Sequence, residues 1–155
     1  MHPQPAEQIA RLSPRDHSGT NCGSTGRQNS SVPQDDQLLA KIRDGLEKMR
    51  SSGIIRVHHI RAMRNGRRIH VDGHVVIPEF WSVHKAHDEV EKFENSVVKE
   101  LFLEGEMELH IDPCRRLYCA ECEVADCPVR REAFKLRPPL SLEEMTSPVD
   151  RTDLS

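Results

Sequence analysis

Aromatic side chains are scarce in this sequence: four Phe, one Tyr and one Trp make up 4% of its 155 residues. Hydrophobic residues reach only 36%, below the usual share for a chain packed along its whole length, so part of it is expected to lie outside any core. Long apolar runs are missing. The longest, such as HVVI at 74–77, fall far short of a bilayer span of about 20 residues, so no direct membrane insertion is expected. The N-terminus, MHPQPAEQIARL, has no apolar segment of the kind a secretory signal needs. Positive charge is not in excess either. The net charge is −3 with histidine neutral, which excludes the basic footprint of a nucleic-acid binder. A metal-hydrolase motif such as His-Glu-x-x-His is absent, and with it a general base beside an open metal position; the chain is expected not to be an enzyme. With no secretory signal, the expected compartment is the reducing cytoplasm, where closely spaced cysteines ligate metals more often than they form disulfides.

Residues 1–34 are rich in Ser, Gly, Gln, Asn and Pro. They cannot bury enough surface to offset chain entropy and are expected to be disordered, with Cys22 an idle thiol among them. Residues 136–155 read similarly, as a flexible tail in which SLEE at 141–144 caps at most one short helical turn. Between these ends the periodicity is clear. Leu39, Ile42, Leu46 and Met49 recur at three- and four-residue steps, predicting a helix capped by Asp35 or Asp36. IIRVHHIRAM and RRIHVDGHVVI flank Asn65-Gly66, a hairpin signal in which both turn residues take positive φ. Val83, Ala86, Val90, Phe93, Val97 and Leu101 form the stripe of a second helix, with Ser82 as its cap. EMELHID alternates as a third strand. The expected fold is α+β: helix–strand–strand–helix–strand over residues 35–113, with helices on one sheet face.

Nine histidines are more than such a chain requires for packing. Period two in a strand separates its faces. Ile69, Val71, Gly73 and Val75 share one face of the second strand, which leaves His70, Asp72 and His74 on the other. His110 and Asp112 likewise oppose the apolar set of the third strand. One of His58 and His59 must face the same way as His74, and His84 and His87 lie near the start of the second helix. The helix-free face therefore carries imidazoles and carboxylates, the donors that a zinc-like ion selects.

The succession VHHIRAMRNGRRIHVDGHVVIP, AHDEVEKFE and HIDP, over about Asp36 to Pro113, resembles the cytoplasmic C-terminal domain of cation diffusion facilitator transporters, which export zinc, cobalt, iron and manganese. The resemblance implies a two-layer, metallochaperone-like (half-ferredoxin) domain that dimerises. It implies His58, His74, His87, His110 and Asp112 as metal-binding positions. The membrane-spanning bundle of those transporters is missing here, so the expected role is a free-standing regulatory module. It would form a homodimer that senses or buffers a divalent cation, or pair with a full-length cation efflux transporter at the membrane. Zinc is the first expectation for the ion, with iron, cobalt, manganese or cadmium as alternatives.

Four of the five cysteines fall within residues 114–127, as Cys114, Cys119, Cys122 and Cys127 in a C-x4-C-x2-C-x4-C run ending in Cys-Pro. Four thiolates at such spacing can surround one ion, and a zinc-type site separate from the histidines is expected over 114–135. That extension has few apolar residues, so a metal would supply its order. The spacing differs from the ferredoxin run C-x2-C-x2-C-x3-C-P but shares its Cys-Pro end. A redox or iron–sulfur role is therefore the alternative, beside a truncated transporter product with no role of its own.

Overall fold

Asp35 accepts a hydrogen bond from the Leu38 N–H at 3.1 Å and starts helix α1, Asp36–Met49. Leu38, Leu39, Ile42 and Leu46 form its buried side. The computed structural model describes residues 35–148 and 150; the segment 1–34 and Cys22 lie outside the described residues. Strands β1 (Arg56–Asn65) and β2 (Arg68–Ile77) pair antiparallel, and β3 (Gly105–Pro113) pairs with β2 in parallel, giving the order β1-β2-β3. A parallel neighbour needs a crossover. Helix α2, Val83–Glu100, supplies it, capped by Ser82, whose side chain accepts from the Lys85 N–H at 3.2 Å. Ala86, Val90, Phe93 and Val97 of α2 join the α1 side chains against Val57, Val71, Val75, Met107 and Leu109 of the sheet. The fold is α+β with α1 and α2 on one sheet face. Val83, placed in the buried stripe from the sequence, is 87% exposed, because it opens the helix ahead of the first turn that reaches the sheet.

The hairpin turn differs in register from the expected one. Asn65 pairs with Arg68, so the turn residues are Gly66 and Arg67, and of these Gly66 takes positive φ, at 63°. This is the two-residue loop with glycine first, not the Asn-Gly form. A second irregularity lies in β1. The register breaks between His58, which faces His74, and Arg61, which faces Asp72. His59 enters the left-handed region at φ 53°, so two residues of β1 oppose Gly73 as a bulge. A Cβ at Gly73 would come within 2.4 Å of Ile60 Cδ1, so glycine leaves room for the bulged strand.

Residues 136–148 do not form the expected loose tail. They pack along the helix and sheet, for reasons that the local sequence hides. The Leu140 N–H donates to Glu47 Oε2 at 2.9 Å, and Arg137 reaches the Ser51 and Arg50 carbonyls, both at 3.4 Å. Ser141 then caps a short helix, α3 (Leu142–Thr146), accepting from the Glu144 N–H at 3.2 Å as SLEE suggests. Leu140 and Met145 belong to the main core. Ser147 accepts from the bulge N–H of His59 at 3.0 Å, which satisfies a donor on the outer edge of β1 and covers an edge that would otherwise template pairing.

The cysteine-rich segment also finds apolar partners. Tyr118, at the end of a short 3₁₀ turn (Arg116–Tyr118), and Cys122 pack with Ile55 and Val76 in a second small cluster, beside Leu117 and Val124. Arg130 threads the loop, donating to the carbonyls of Cys119 (3.0 Å), Cys122 (3.0 Å) and Val124 (2.5 Å). Buried Arg56 ties this segment to α3, with Glu121 at 3.4 Å on one side and Glu144 at 2.5 Å on the other.

Candidate metal centre

Strand alternation puts one histidine from each strand on a single rung of the helix-free face. His58 pairs with His74 across β1 and β2, and His74 pairs with His110 across β2 and β3. Their rings follow: centroids are 5.1 Å apart for His58 and His74 and 5.2 Å for His74 and His110. Asp112, two residues further along β3, leans back over the rung. Its Oδ2 lies 3.0 Å from His74 Nδ1 and 3.5 Å from His58 Nε2. Ligand atoms of His58, His74 and Asp112 all fall within 4.8 Å of one another, and this is the one such group of three among the described residues.

The donors fit a zinc-like ion. Around a tetrahedral zinc with N and O ligands at about 2.0–2.2 Å, donor atoms stand roughly 3.3 Å apart. The observed 3.0 and 3.5 Å separations bracket that value, so little movement is needed to close on an ion. The His58 Nδ1 atom is buried with no hydrogen-bond partner, a costly condition for a polar atom in a dry site. Burial pushes the His58 imidazole below the usual histidine range, with Asp150 and Asp112 opposing the shift, which favours the neutral ring that a metal requires. Two other polar side chains of this face are engaged elsewhere: Asp72 holds Arg61 at 2.5 Å, and His70 lies 3.2 Å from Glu106.

The remaining expected ligands divide. His110 is exposed beside His74 but outside the three-donor group. His87 is not brought to it at all. Helix α2 packs on the apolar side of the sheet, and His87 borders a surface hollow with Glu91, Glu94, Leu109 and Ile111. Two further residues stand at the centre that strand periodicity could not reveal. His59, turned by the bulge, stacks on His74 with centroids 5.5 Å apart; the adjacent His58-His59 pair opposite a glycine was the available signal. Asp150 accepts from Arg115 and from the Tyr118 hydroxyl, and its charge bears on His58; no sequence pattern announces it. The cysteines Cys114, Cys119, Cys122 and Cys127 line one cavity of about 400 Å³. Yet no three of their sulfurs lie within 4.8 Å of one another among the described residues. The single tetrahedral ion expected there needs sulfurs about 3.8 Å apart, so the cysteines surround a space rather than a point.

A family model described as the cytoplasmic domain of cation efflux proteins matches residues 34–114. Comparison with curated protein sequences gives no match. Among solved structures, the zinc form of CzrB is similar at 22% identity, over 51% of this chain and 88% of that one, with a TM-score of 0.47. The copper form of the MamM C-terminal domain is 18% identical over 52% of this chain and 87% of its own, also at 0.47. The metal-bound C-terminal domain of the CzcD transporter from Thermotoga maritima is 15% identical over 50% and 90%, at 0.45.

Proposed function

Since this chain belongs to the family of cation efflux protein cytoplasmic domains, we propose that it is a divalent-cation-binding regulatory module that acts as a pair of chains on the cytoplasmic side. The observation that carries the reading is the convergence of His58, His74 and Asp112, one donor from each strand of the sheet. An ion held there ties all three strands together, so occupancy changes the rigidity of the sheet. Imidazole and carboxylate donors favour zinc and its first-row neighbours over magnesium or calcium. Three protein donors leave a further coordination position, and His110 stands beside it to complete the shell. In this role the protein senses or buffers the ion; no turnover is assigned to it.

Pairing is supported by a surface at the same end of the sheet as the metal centre but on its apolar side. Ile111 is 41% exposed and Val83 87% exposed, and they border an apolar groove with Ile77, Pro78, Trp81 and Ala86. A second copy covering this groove buries them by two-fold symmetry. The same surface would serve to pair with a full-length cation efflux transporter. No helix among the described residues is long and apolar enough to cross a membrane.

Sedimentation velocity with equilibrium dialysis against zinc tests the reading. The expected result is a particle of two chains that retains about one histidine-bound ion per chain, with the four cysteines blocked by alkylation beforehand. A monomer at micromolar concentration both with and without zinc, or alkylated protein that retains no zinc, would remove it.

A further inference from the structure

The cavity bounded by Cys114, Cys119, Cys122 and Cys127 has a chemistry distinct from the histidine centre, and we propose that it holds a cubane iron–sulfur cluster ligated by these four thiolates. All four are free cysteines, and all four line the same space of about 400 Å³. They are too far apart to converge on one zinc, given that no three sulfurs fall within 4.8 Å among the described residues. In a four-iron cubane each cysteine binds a different iron at a different corner, so the sulfurs stand well apart around a filled volume. Four sulfurs about a cavity match that arrangement.

Three further features suit the same occupant. Backbone N–H groups already point at the sulfurs: Glu79 donates to Cys114 Sγ at 3.5 Å and Arg131 to Cys119 Sγ at 3.4 Å. Hydrogen bonds to the sulfurs are among the levers that tune such clusters. The lining is also cationic. Arg116, Arg130 and Arg131 border the cavity, together with Arg115, which is paired with Asp150, against the one carboxylate of Glu79, and a four-iron, four-sulfide core of charge 2+ with four thiolates is a net dianion. Finally, the walls include Ile55, Tyr118 and Val129, an apolar contribution that limits water at the core. The loop is held by the protein's own contacts, above all the three carbonyls gripped by Arg130, so the cavity exists before anything enters it. Assembly takes two ferrous ions, two ferric ions and four sulfides, which sum to the 2+ core without a further oxidant, and releases one proton from each thiol to solvent.

The test is anaerobic reconstitution of the full chain with equal parts of ferrous and ferric iron and with sulfide, in parallel with zinc alone. The expected product carries iron and acid-labile sulfide in equal amounts, about four of each per chain. It shows broad visible absorption that bleaches with dithionite, and its four cluster cysteines no longer react with alkylating reagents. Cys119→Ser and Cys127→Ser, checked for native circular dichroism, should lose iron and sulfide severalfold, whereas His84→Ala, an exposed residue of α2 outside both sites, should keep both. Thiol protection in the unmutated chain decides the matter should a serine variant fail to fold. Protein that takes up iron without sulfide, or a double Cys119→Ser, Cys127→Ser variant with the full iron and sulfide content, would overturn the proposal. So would one zinc per chain that protects all four thiols in the presence of iron and sulfide.

Discussion

Met145→Ala is expected to lower the unfolding free energy by about 2–5 kcal/mol, the usual cost of truncating a fully buried large aliphatic side chain. Met145 is 0% exposed and sits in the main core although it lies more than thirty residues beyond the last strand. It is held there by α3, whose Glu144 pairs at 2.5 Å with Arg56, itself 4% exposed. Were the C-terminal segment a loose tail, the same substitution would stay within roughly 0.5 kcal/mol, as surface changes do. Urea denaturation monitored by circular dichroism separates the two outcomes, provided that the slope with denaturant is unchanged. The docked segment has a second consequence. Because Ser147 accepts from the His59 N–H, loss of α3 also frees the β1 bulge that sets His58 and His59 beside His74.

The second large effect belongs to the ion. His74→Ala combined with Asp112→Ala should weaken zinc binding at the histidine centre by more than the 10- to 100-fold that loss of an outer hydrogen-bond partner costs a metal site, about 100-fold or greater. Asp112 is the hub of the group, with Oδ2 facing both imidazoles, so Asp112→Ala alone should account for most of the loss. His87→Ala, on the opposite side of the sheet, should leave the affinity within about twofold. Calorimetric titration of cysteine-alkylated protein reads each value. Equal affinity in the double variant and the unmutated chain would show that zinc binds elsewhere.

The order of elements and the sheet face that carries the donors were legible because they rest on local periodicity. Leu39, Ile42 and Leu46 mark a helix side, and the alternation of Val71 and Val75 against His70, Asp72 and His74 marks the two faces of β2. Three things were not legible, each for a physical reason. His87 is the histidine of AHDEVEKFE, but α2 packs on the apolar face, so its place in the motif does not bring its ring to His74. The β1 bulge breaks the strict period of two and brings a second neighbouring histidine to the site, a tertiary outcome fixed by Gly73 and by the Ser147 carbonyl. Leu140 and Met145 are isolated apolar residues in a polar, proline-containing stretch. Their burial depends on an edge of β1 and a side of α1 that only the folded domain presents. The cysteine segment belongs to the same class: its few apolar residues are completed by Ile55 and Val76 from elsewhere in the chain.

Anomalous scattering from crystals grown with zinc, collected on either side of the zinc absorption edge, tests the central assignment most directly. The expected map has a peak between His58, His74 and Asp112, within about 2.0–2.2 Å of each donor atom, on the helix-free face of the sheet. A zinc peak at another set of side chains, with His74 and Asp112 still hydrogen-bonded only to each other, would contradict it.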